Sequence, residues 1–408
     1  MEISWKRNLY VLWIGIFFCS MAYSISVPFM ALFLNRDLGV EHHLELWSGV
    51  AFGISFLAAA LISPYWGSLA DKYGRKPMIL RSGFSLAFIY ALTYFVTNAY
   101  ELIGLRVLQG LLAGFVPSSI ALVATNTPEK QVGYALSVIS TAGAAGSIVG
   151  PLVGGVSSRY LGYRESYLLS ALVVLIAALV AWIGARERNF NRKAERAGVF
   201  EDLKVARSNR KFTRLVTLTM IIASSIMVLE PLLTIYVLKL GVSHDTASLS
   251  AGLIFSAVGI STVIAAPVWG KIGGRIGYHN TLLIGLLGGG IGNILQVFFH
   301  NLVGFGVLRF VYGLFFAAVF PSINALIVKT TPADFRGRAF SLNQSANQIG
   351  TMAGPLAGGA LGGWISIPAV FVINGLALIA TAIGFVPRSK RDAHAAPGAA
   401  EKQETPYS

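Results

Sequence analysis

The sequence predicts an all-α membrane protein whose twelve transmembrane helices form two pseudo-symmetric six-helix halves. Three observations carry that reading. The 408 residues are 55% hydrophobic and only 12% charged, against about 25% charged in a soluble domain. Twelve apolar runs follow one another with short loops, near 9–34, 46–70, 77–98, 101–125, 133–158, 166–185, 213–238, 247–271, 280–299, 303–329, 338–363 and 367–387. Each approaches the roughly 20 residues that a helix needs to cross a bilayer. Finally, Ser63-Pro64-Tyr65-Trp66-Gly67 returns as Ala266-Pro267-Val268-Trp269-Gly270, 203 residues later.

Long unbroken apolar runs select helices over a barrel, the other structure that satisfies its own backbone in lipid. The first run is too long for a cleavable signal peptide, and no small-residue cleavage pattern follows it. Cys19, the one cysteine, excludes an internal disulfide and reads as an apolar filler of that helix. The net charge of +14 has a topological explanation. Lys and Arg concentrate at the N-terminus, in the even-numbered loops and in the tail. The odd-numbered loops hold only Arg36, Arg159, Arg164 and Lys239. The positive-inside rule then places both termini in the cytoplasm of a multi-pass cell-membrane protein and removes the need for a nucleic-acid partner.

The second and third runs meet at a basic, glycine-rich elbow, Gly67-x-x-x-Asp71-Lys72-x-Gly74-Arg75-Lys76. Its glycines permit a tight turn and close helix approach. In the second copy, Gly274 replaces Asp71. The fourth run contains Arg106-x-x-Gln109-Gly110, matched by Arg309-x-x-Tyr312-Gly313 at the same offset. After one inserted residue, Thr127-Pro128 matches Thr331-Pro332. In the fifth run Gly146, Gly150, Pro151, Gly154 and Gly155 match Gly350, Gly354, Pro355, Gly358 and Gly359. Four collinear matches indicate duplicated halves, and six spans per half make them parallel repeats. The halves are 1–185 and 213–387. Residues 186–212 read as a basic linker able to form a short interfacial helix, and 388–408 as a disordered cytoplasmic tail.

These motifs resemble those of the major facilitator superfamily, and within it the twelve-span drug/proton antiporters. The elbow resembles the superfamily's signature between spans two and three. Gly146 to Gly155 resembles the fifth-span antiporter signature, and Arg106 to Gly110 the fourth-span signature of proton-linked members. The resemblance covers about residues 5–387. It implies the major facilitator fold and export of cytoplasmic compounds in exchange for protons.

Two readings concern the motion. Asp71 and Arg75 in one half, and Arg336 in the other, are expected to form a cytoplasmic latch with Gly67 and Gly74. Asp71 has no counterpart at Gly274 and Arg336 none at Val132, as a single contact across the halves requires. Topology-setting charges without a latch are the plainer reading. The Gly/Pro faces of spans five and eleven let helices pack backbone to backbone, and the halves are expected to rock on them.

Ionisable groups at membrane depth are costly and mark pathways. Glu230 is the carboxylate placed clearly inside a span, next to Pro231. Removal from water favours a neutral carboxyl, so Glu230 is the leading proton-coupling candidate; a hydrated acid near a helix end is its plainer reading. The resemblance implies an acid in the seventh span of related antiporters and links Arg106 to proton translocation. Arg309 reads as structural. A cavity between the halves is expected to be lined by Tyr23, Ser24, Gln109, Asn293, Gln296, Asn343, Gln344 and Asn347, with Gln348 on the same stretch. Aromatic walls with one acid suit lipophilic, often cationic compounds.

No phosphate-binding Gly-x-x-x-x-Gly-Lys-Ser/Thr loop, nucleophile elbow or metal-ligand spacing occurs, and His42-His43 reads as a solvated pair. A monomeric non-enzyme is therefore expected, without cofactor or metal and driven by the proton gradient. Its partners are expected to be small molecules, protons and the lipid bilayer. A proton-coupled exporter of one metabolite and a non-transporting receptor-like protein are the alternatives.

Overall fold

The computed structural model describes residues 5–128, 131–187, 209–331 and 336–394, except for the side chains of 64, 68, 71, 133, 137, 336–338, 341 and 385–394. Most of the predicted linker and tail lies outside the described residues. Among those described there is no strand, and ten helical segments are long and apolar enough to cross a membrane. We number the bundle helices α1 (Trp5–Arg36), α2 (Leu44–Tyr73), α3 (Arg75–Thr93), α4 (Ala99–Asn126), α5 (Val132–Tyr160), α6 (Tyr163–Gly184), α7 (Arg210–Lys239), α8 (His244–Ile276), α9 (Tyr278–Leu295), α10 (Leu302–Thr330), α11 (Arg336–Trp364) and α12 (Ile367–His394). The two outside the apolar ten are α3, which carries the elbow's cations, and α11, which carries Asn343, Gln344, Asn347 and Gln348. The architecture is all-helical, in two six-helix halves.

The first and fourth helices of each half are broken. In α1 a 3-10 turn at Val27–Phe29 separates Trp5–Ile25 from Met30–Arg36, and α7 breaks at Leu229, between Val228 and Glu230. Pro28 and Pro231 lie at these breaks, where a missing N–H and a fixed φ interrupt the helical ladder. The other two breaks, at Ala113–Gly114 in α4 and Ala317–Ala318 in α10, lie in matching places. Gly114 has φ +143°, a conformation that favours glycine.

The Pro-x-Trp-Gly repeat has a structural cause at these breaks. Trp66 Nε1 donates to the Leu111 carbonyl at 2.7 Å, and Trp269 Nε1 donates to the Leu314 carbonyl at 2.7 Å. Each indole takes a carbonyl that the broken helix cannot satisfy itself. In the first half Arg81 adds to this brace: its guanidinium lies 3.3 Å from the Trp66 ring centroid and donates to the Ala113 carbonyl at 3.1 Å.

The Gly/Pro faces divide: Gly155 lies against Ser248 and Leu249 of α8 and Gly359 against Glu45 and Gly49 of α2, across the halves, whereas the other glycines of the two series pack within their own half. Gly146, Gly150 and Gly154 lie against the α1 backbone at Phe17, Met21, Ser24 and Ile25, whereas Gly350, Gly354 and Gly358 lie against α7 at Met220, Ser224, Met227 and Val228. The halves meet on neighbouring positions. Gly252 of α8 abuts the Pro151 carbonyl, and Gly49 of α2 abuts the Pro355 carbonyl. Ser256 Oγ donates to the Ile148 carbonyl at 2.6 Å, and Ser158 Oγ to Ser248 Oγ at 2.9 Å. Two seams, α2–α11 and α5–α8, thus join the halves.

The halves also meet at the end away from the elbows. There Ala31 and Leu32 of α1 join a buried apolar cluster with Leu232, Leu233 and Phe371 of the second half. Arg36 pairs with Asp245 at 3.3 Å, Lys239 with Glu45 at 3.7 Å, and Thr234 Oγ1 donates to the Pro28 carbonyl at 3.1 Å. At the elbow end, Leu61 and Tyr65 of α2 and Tyr134 of α5 are exposed, and Gly270 and Gly274 of α8 have no neighbour in reach.

Candidate functional site

Two buried arginines, Arg106 of α4 and Arg309 of α10, lie on the broken helices. Arg106 of α4 is buried, and its neighbours are neutral. Its Nη1 donates to Gln109 Oε1 at 2.9 Å, and its Nη2 donates to Ser26 Oγ and to Tyr167 Oη, both at 3.3 Å. The Met30 sulfur lies 3.5 Å from Nη2 and accepts from Tyr167 Oη at 3.4 Å. Gln109 Nε2 passes the network on to Tyr90 Oη at 3.0 Å. Ser26 and Met30 flank the α1 break, so the Pro28 turn aims them at the guanidinium. A buried cation needs such a hydrogen-bonded cage when no carboxylate adjoins it.

Glu230 is the first residue of the short helix Glu230–Lys239, whose N-terminal dipole favours a negative charge. It lies in electrostatic range of Arg309 of α10 and of Tyr23 of α1. Arg309 is buried, with Nη1 3.5 Å from Gln296 Oε1 and its guanidinium 5.2 Å from the Tyr312 ring centroid. Among the described residues, Arg309 Nε and the neighbouring Asn293 Nδ2 are buried without a partner. Gln296 Nε2 donates to the Gly292 carbonyl at 3.1 Å and contacts Asn293 Oδ1 at 3.3 Å. Arg309, read from sequence as structural, thus belongs to the cluster that contains Glu230.

The structure separates the other predicted cavity residues into groups. Tyr23 lies edge-on to Phe56, with centroids 5.8 Å apart, near both Glu230 and Arg106. Ser24 is buried in the α1–α5 contact against Gly150. Asn343 is committed to the α7–α11 contact, where its Oδ1 accepts from Thr219 Oγ1 at 2.7 Å. Gln344 and Gln348 are exposed on α11, and Asn347 is half-buried. Tyr90, Tyr167, Ser26 and Met30 were not singled out from sequence. Each is a common residue in an apolar run, and only the fold brings it to Arg106.

At the elbow, the side chains of Asp71 and Arg336 lie outside the described residues. Gly74 makes the turn with φ +98° and lies against the Glu187 carboxylate. That carboxylate accepts from the backbone N–H of Arg75 at 2.8 Å and of Lys76 at 2.9 Å, which caps α3. Lys76 Nζ in turn donates to the Trp182 and Ala185 carbonyls at the end of α6, at 2.8 and 2.7 Å. The elbow is therefore anchored inside its own half by two exchanged caps.

The opposite end carries further charge pairs. Arg164 lies 3.4 Å from the Asp37 carboxylate and donates to the Tyr94 and Val96 carbonyls, each at 2.7 Å. Burial pushes the Asp37 carboxyl up from its ordinary value, and Arg164 opposes that shift.

Comparison with known proteins agrees with this architecture. Residues 12–259 and 218–407 match the family described as the Major Facilitator Superfamily. Multidrug resistance protein MdtG of Yersinia enterocolitica is 36% identical over 389 residues, 94% of this chain and 93% of that one. The Citrobacter koseri protein of the same name is 37% identical over 385 residues, covering 93% and 94%. The crystal structure of the nucleoside transporter NupG superposes with a TM-score of 0.77 at 14% identity, over 94% of this chain and 99% of that one. A bacterial homologue of the human lysosomal transporter Spinster, solved inward-facing and unoccupied, gives 0.72 at 15% identity and covers 96% of each chain. The last two show the shared fold alone. With its duplicated elbow, its broken first and fourth helices and these relatives along nearly its whole length, the chain belongs to the major facilitator superfamily.

Proposed function

We propose that this protein exports lipophilic, often cationic, drug-like compounds from the cytoplasm in exchange for protons, through alternating access of its central chamber. The curated relatives named for multidrug resistance support the substrate class. The observation that supports the coupling is Glu230, held at the head of the helix Glu230–Lys239 within electrostatic range of Arg309. The basic elbow end faces the cytoplasm and both termini lie there, by the positive-inside rule.

In the open-elbow form, a compound enters from the cytoplasm and reaches the chamber near Tyr23 and Glu230. An ionised Glu230 attracts a cationic substrate, which competes with Arg309 for the carboxylate. After the halves rock, a proton from outside neutralises the carboxyl, and the substrate loses its counter-charge. The return swing delivers the proton to the cytoplasm. Arg106 keeps the α1 break and α4 in register through its neutral cage, so that the first half moves as a unit. No cofactor takes part; the proton gradient drives the cycle.

Everted membrane vesicles test this reading. A substrate-driven proton flux is expected from the native protein across a panel of cationic dyes. Glu230→Gln, a permanently neutral side chain, should abolish the flux and weaken binding of the cationic dyes while leaving circular dichroism unchanged. Intact, pH-dependent exchange in that variant would overturn the role of Glu230. Transport of one metabolite but none of the dyes would overturn the substrate class.

A further inference from the structure

We propose that Asn293 and Arg309 form a two-donor cradle for the ionised carboxylate of Glu230, which makes Asn293 a positioning residue of the proton-coupling step. This role presupposes the coupling role of Glu230 and adds to it the contact that holds the carboxylate once its proton has left.

The two halves treat their matched arginines differently. Arg106 and Arg309 correspond at an offset of 203, as do Pro28 and Pro231. The groups around the Arg106 guanidinium are Gln109, Ser26, Met30 and Tyr167. At the same offset, Gln109 becomes Tyr312, Ser26 becomes Leu229 and Met30 becomes Leu233. At the offset of 204 that holds after the inserted residue, Tyr167 becomes Phe371. The packing confirms this register. Tyr167 lies against Phe33 with centroids 5.1 Å apart, and Phe371 lies against the matching Tyr236 at 5.2 Å. The second half thus keeps the cation and has replaced the hydroxyls and sulfur of its cage with apolar groups. Tyr312 turns its ring to the guanidinium, 5.2 Å from the centroid.

Two donors are left unmet there. Arg309 is 7% exposed, and its Nε has no partner among the described residues. Asn293, which stands where the first half has Tyr90, is 0% exposed. Its Oδ1 faces Gln296 Nε2 at 3.3 Å, which leaves Nδ2 as the outward donor, and Nδ2 has no partner among the described residues either. Gln296 touches both residues, its Oε1 lying 3.5 Å from Arg309 Nη1. Buried donors without acceptors are costly, most of all on a charged group. Two of them beside one glutamine make a place suited to an anionic acceptor.

The chain supplies one candidate. Among the described residues, Glu230 is the carboxylate within electrostatic range of Arg309, yet no ion pair joins them. Its counterpart in the first half is Val27. The acid therefore stands in the half that has lost the neutral acceptors. A carboxylate offers two oxygens to two donors and binds them in charge-assisted hydrogen bonds, whereas a protonated carboxyl carries no charge to attract them. Docking follows loss of the proton and favours its release. Among the described residues, the other titratable group facing Glu230 is Tyr23 of α1, and the other facing Arg309 is Tyr312. Neither brings a negative charge at neutral pH.

Everted vesicles carrying the full-length protein test the cradle, because the medium then bathes the cytoplasmic face. Proton flux driven by a cationic dye is measured against the pH of the medium. Asn293→Leu removes one donor, while Gln296 Nε2 keeps the Gly292 carbonyl. The pH of half-maximal flux should rise by about one to two units, as expected for one lost hydrogen bond to a charge. Phe371→Tyr places a hydroxyl where the first half has Tyr167, so that the guanidinium is occupied without loss of a donor. It should move the midpoint in the same direction, which keeps the test decisive if Asn293→Leu misfolds. A weaker flux at the native midpoint would mark Asn293 as a packing residue and overturn the cradle. An unmoved midpoint in either variant with native circular dichroism overturns it as well. Glu230→Gln separates the two readings. Retained pH-dependent exchange in that variant removes the coupling role and the cradle with it. Lost exchange there, beside a native midpoint in Asn293→Leu, removes the cradle alone.

Discussion

Arg36 and Asp245 lie 3.3 Å apart across the two halves of the protein. The pair joins the end of α1 to the start of α8. Lys239 and Glu45, 3.7 Å apart, join the end of α7 to the start of α2 in the mirrored arrangement. Both clasps join the halves at the end opposite the elbows. Each has a partner that is largely open to solvent, Asp245 in one and Lys239 in the other, so each contributes only about 0.2–1 kcal/mol. Asp245→Asn with Glu45→Gln should therefore shift the population toward opening at that end by about two- to thirtyfold. Spin labels at His42→Cys and Ser243→Cys, in a Cys19→Ser background, would report a growing long-distance fraction. An unchanged distance distribution would leave closure to the apolar cluster around Leu232 alone.

Glycine substitutions should divide sharply by position. A methyl group on Gly154 or Gly358 drives into the carbonyl of Ile25 or Val228. Gly154→Ala and Gly358→Ala are each expected to cost about 1–3 kcal/mol, as overpacking does. Gly270→Ala meets open space and should be neutral or slightly stabilising. Thermal unfolding in detergent, followed by tryptophan fluorescence, separates the two outcomes.

The cage around Arg106 should tolerate little. Tyr167→Phe removes a hydroxyl that accepts from the guanidinium and donates to Met30. Leaving a buried charged donor short of an acceptor costs about 1–3 kcal/mol. The variant should lose thermal stability by that amount, and Gln109→Leu by at least as much, because Tyr90 loses its partner too. Equal stability in both variants would mean that the guanidinium is hydrated in place.

The Glu187 cap predicts a local effect. Glu187→Ala removes the acceptor of the Arg75 and Lys76 amides and should cost about 0.5–2 kcal/mol. Hydrogen exchange should speed up in the first turn of α3 while the helices of the second half keep their protection. Uniform acceleration across both halves would contradict an anchor confined to the first.

How much of this was legible in the sequence depended on how far apart the partners lie. The duplicated elbows, the apolar runs and the glycine series were readable because each is a local pattern. Even α3 and α11, which carry more polar residues than the other ten, were legible as the apolar runs 77–98 and 338–363. Arg309 was read as structural because Tyr312 stands at the Gln109 equivalent, and its neighbour Gln296, which approaches from another helix, could not be seen. Glu187 looked like one acid in a basic linker. Arg36, Arg164 and Lys239 looked like exceptions to a topological rule, yet each faces a carboxylate from a distant segment. A polar residue in a loop carries no mark of its partner until the chain is folded.

The matched indole ties, Trp66 to Leu111 and Trp269 to Leu314, have a mechanical consequence. Each splints its helix at the point where it would otherwise bend, so neither bundle owns an internal joint there. Flexing is left to the two slender glycine-lined seams, and each bundle swings as one stiff block. Cargo midway would then face one mouth at a time, with no continuous bore through which ions could leak.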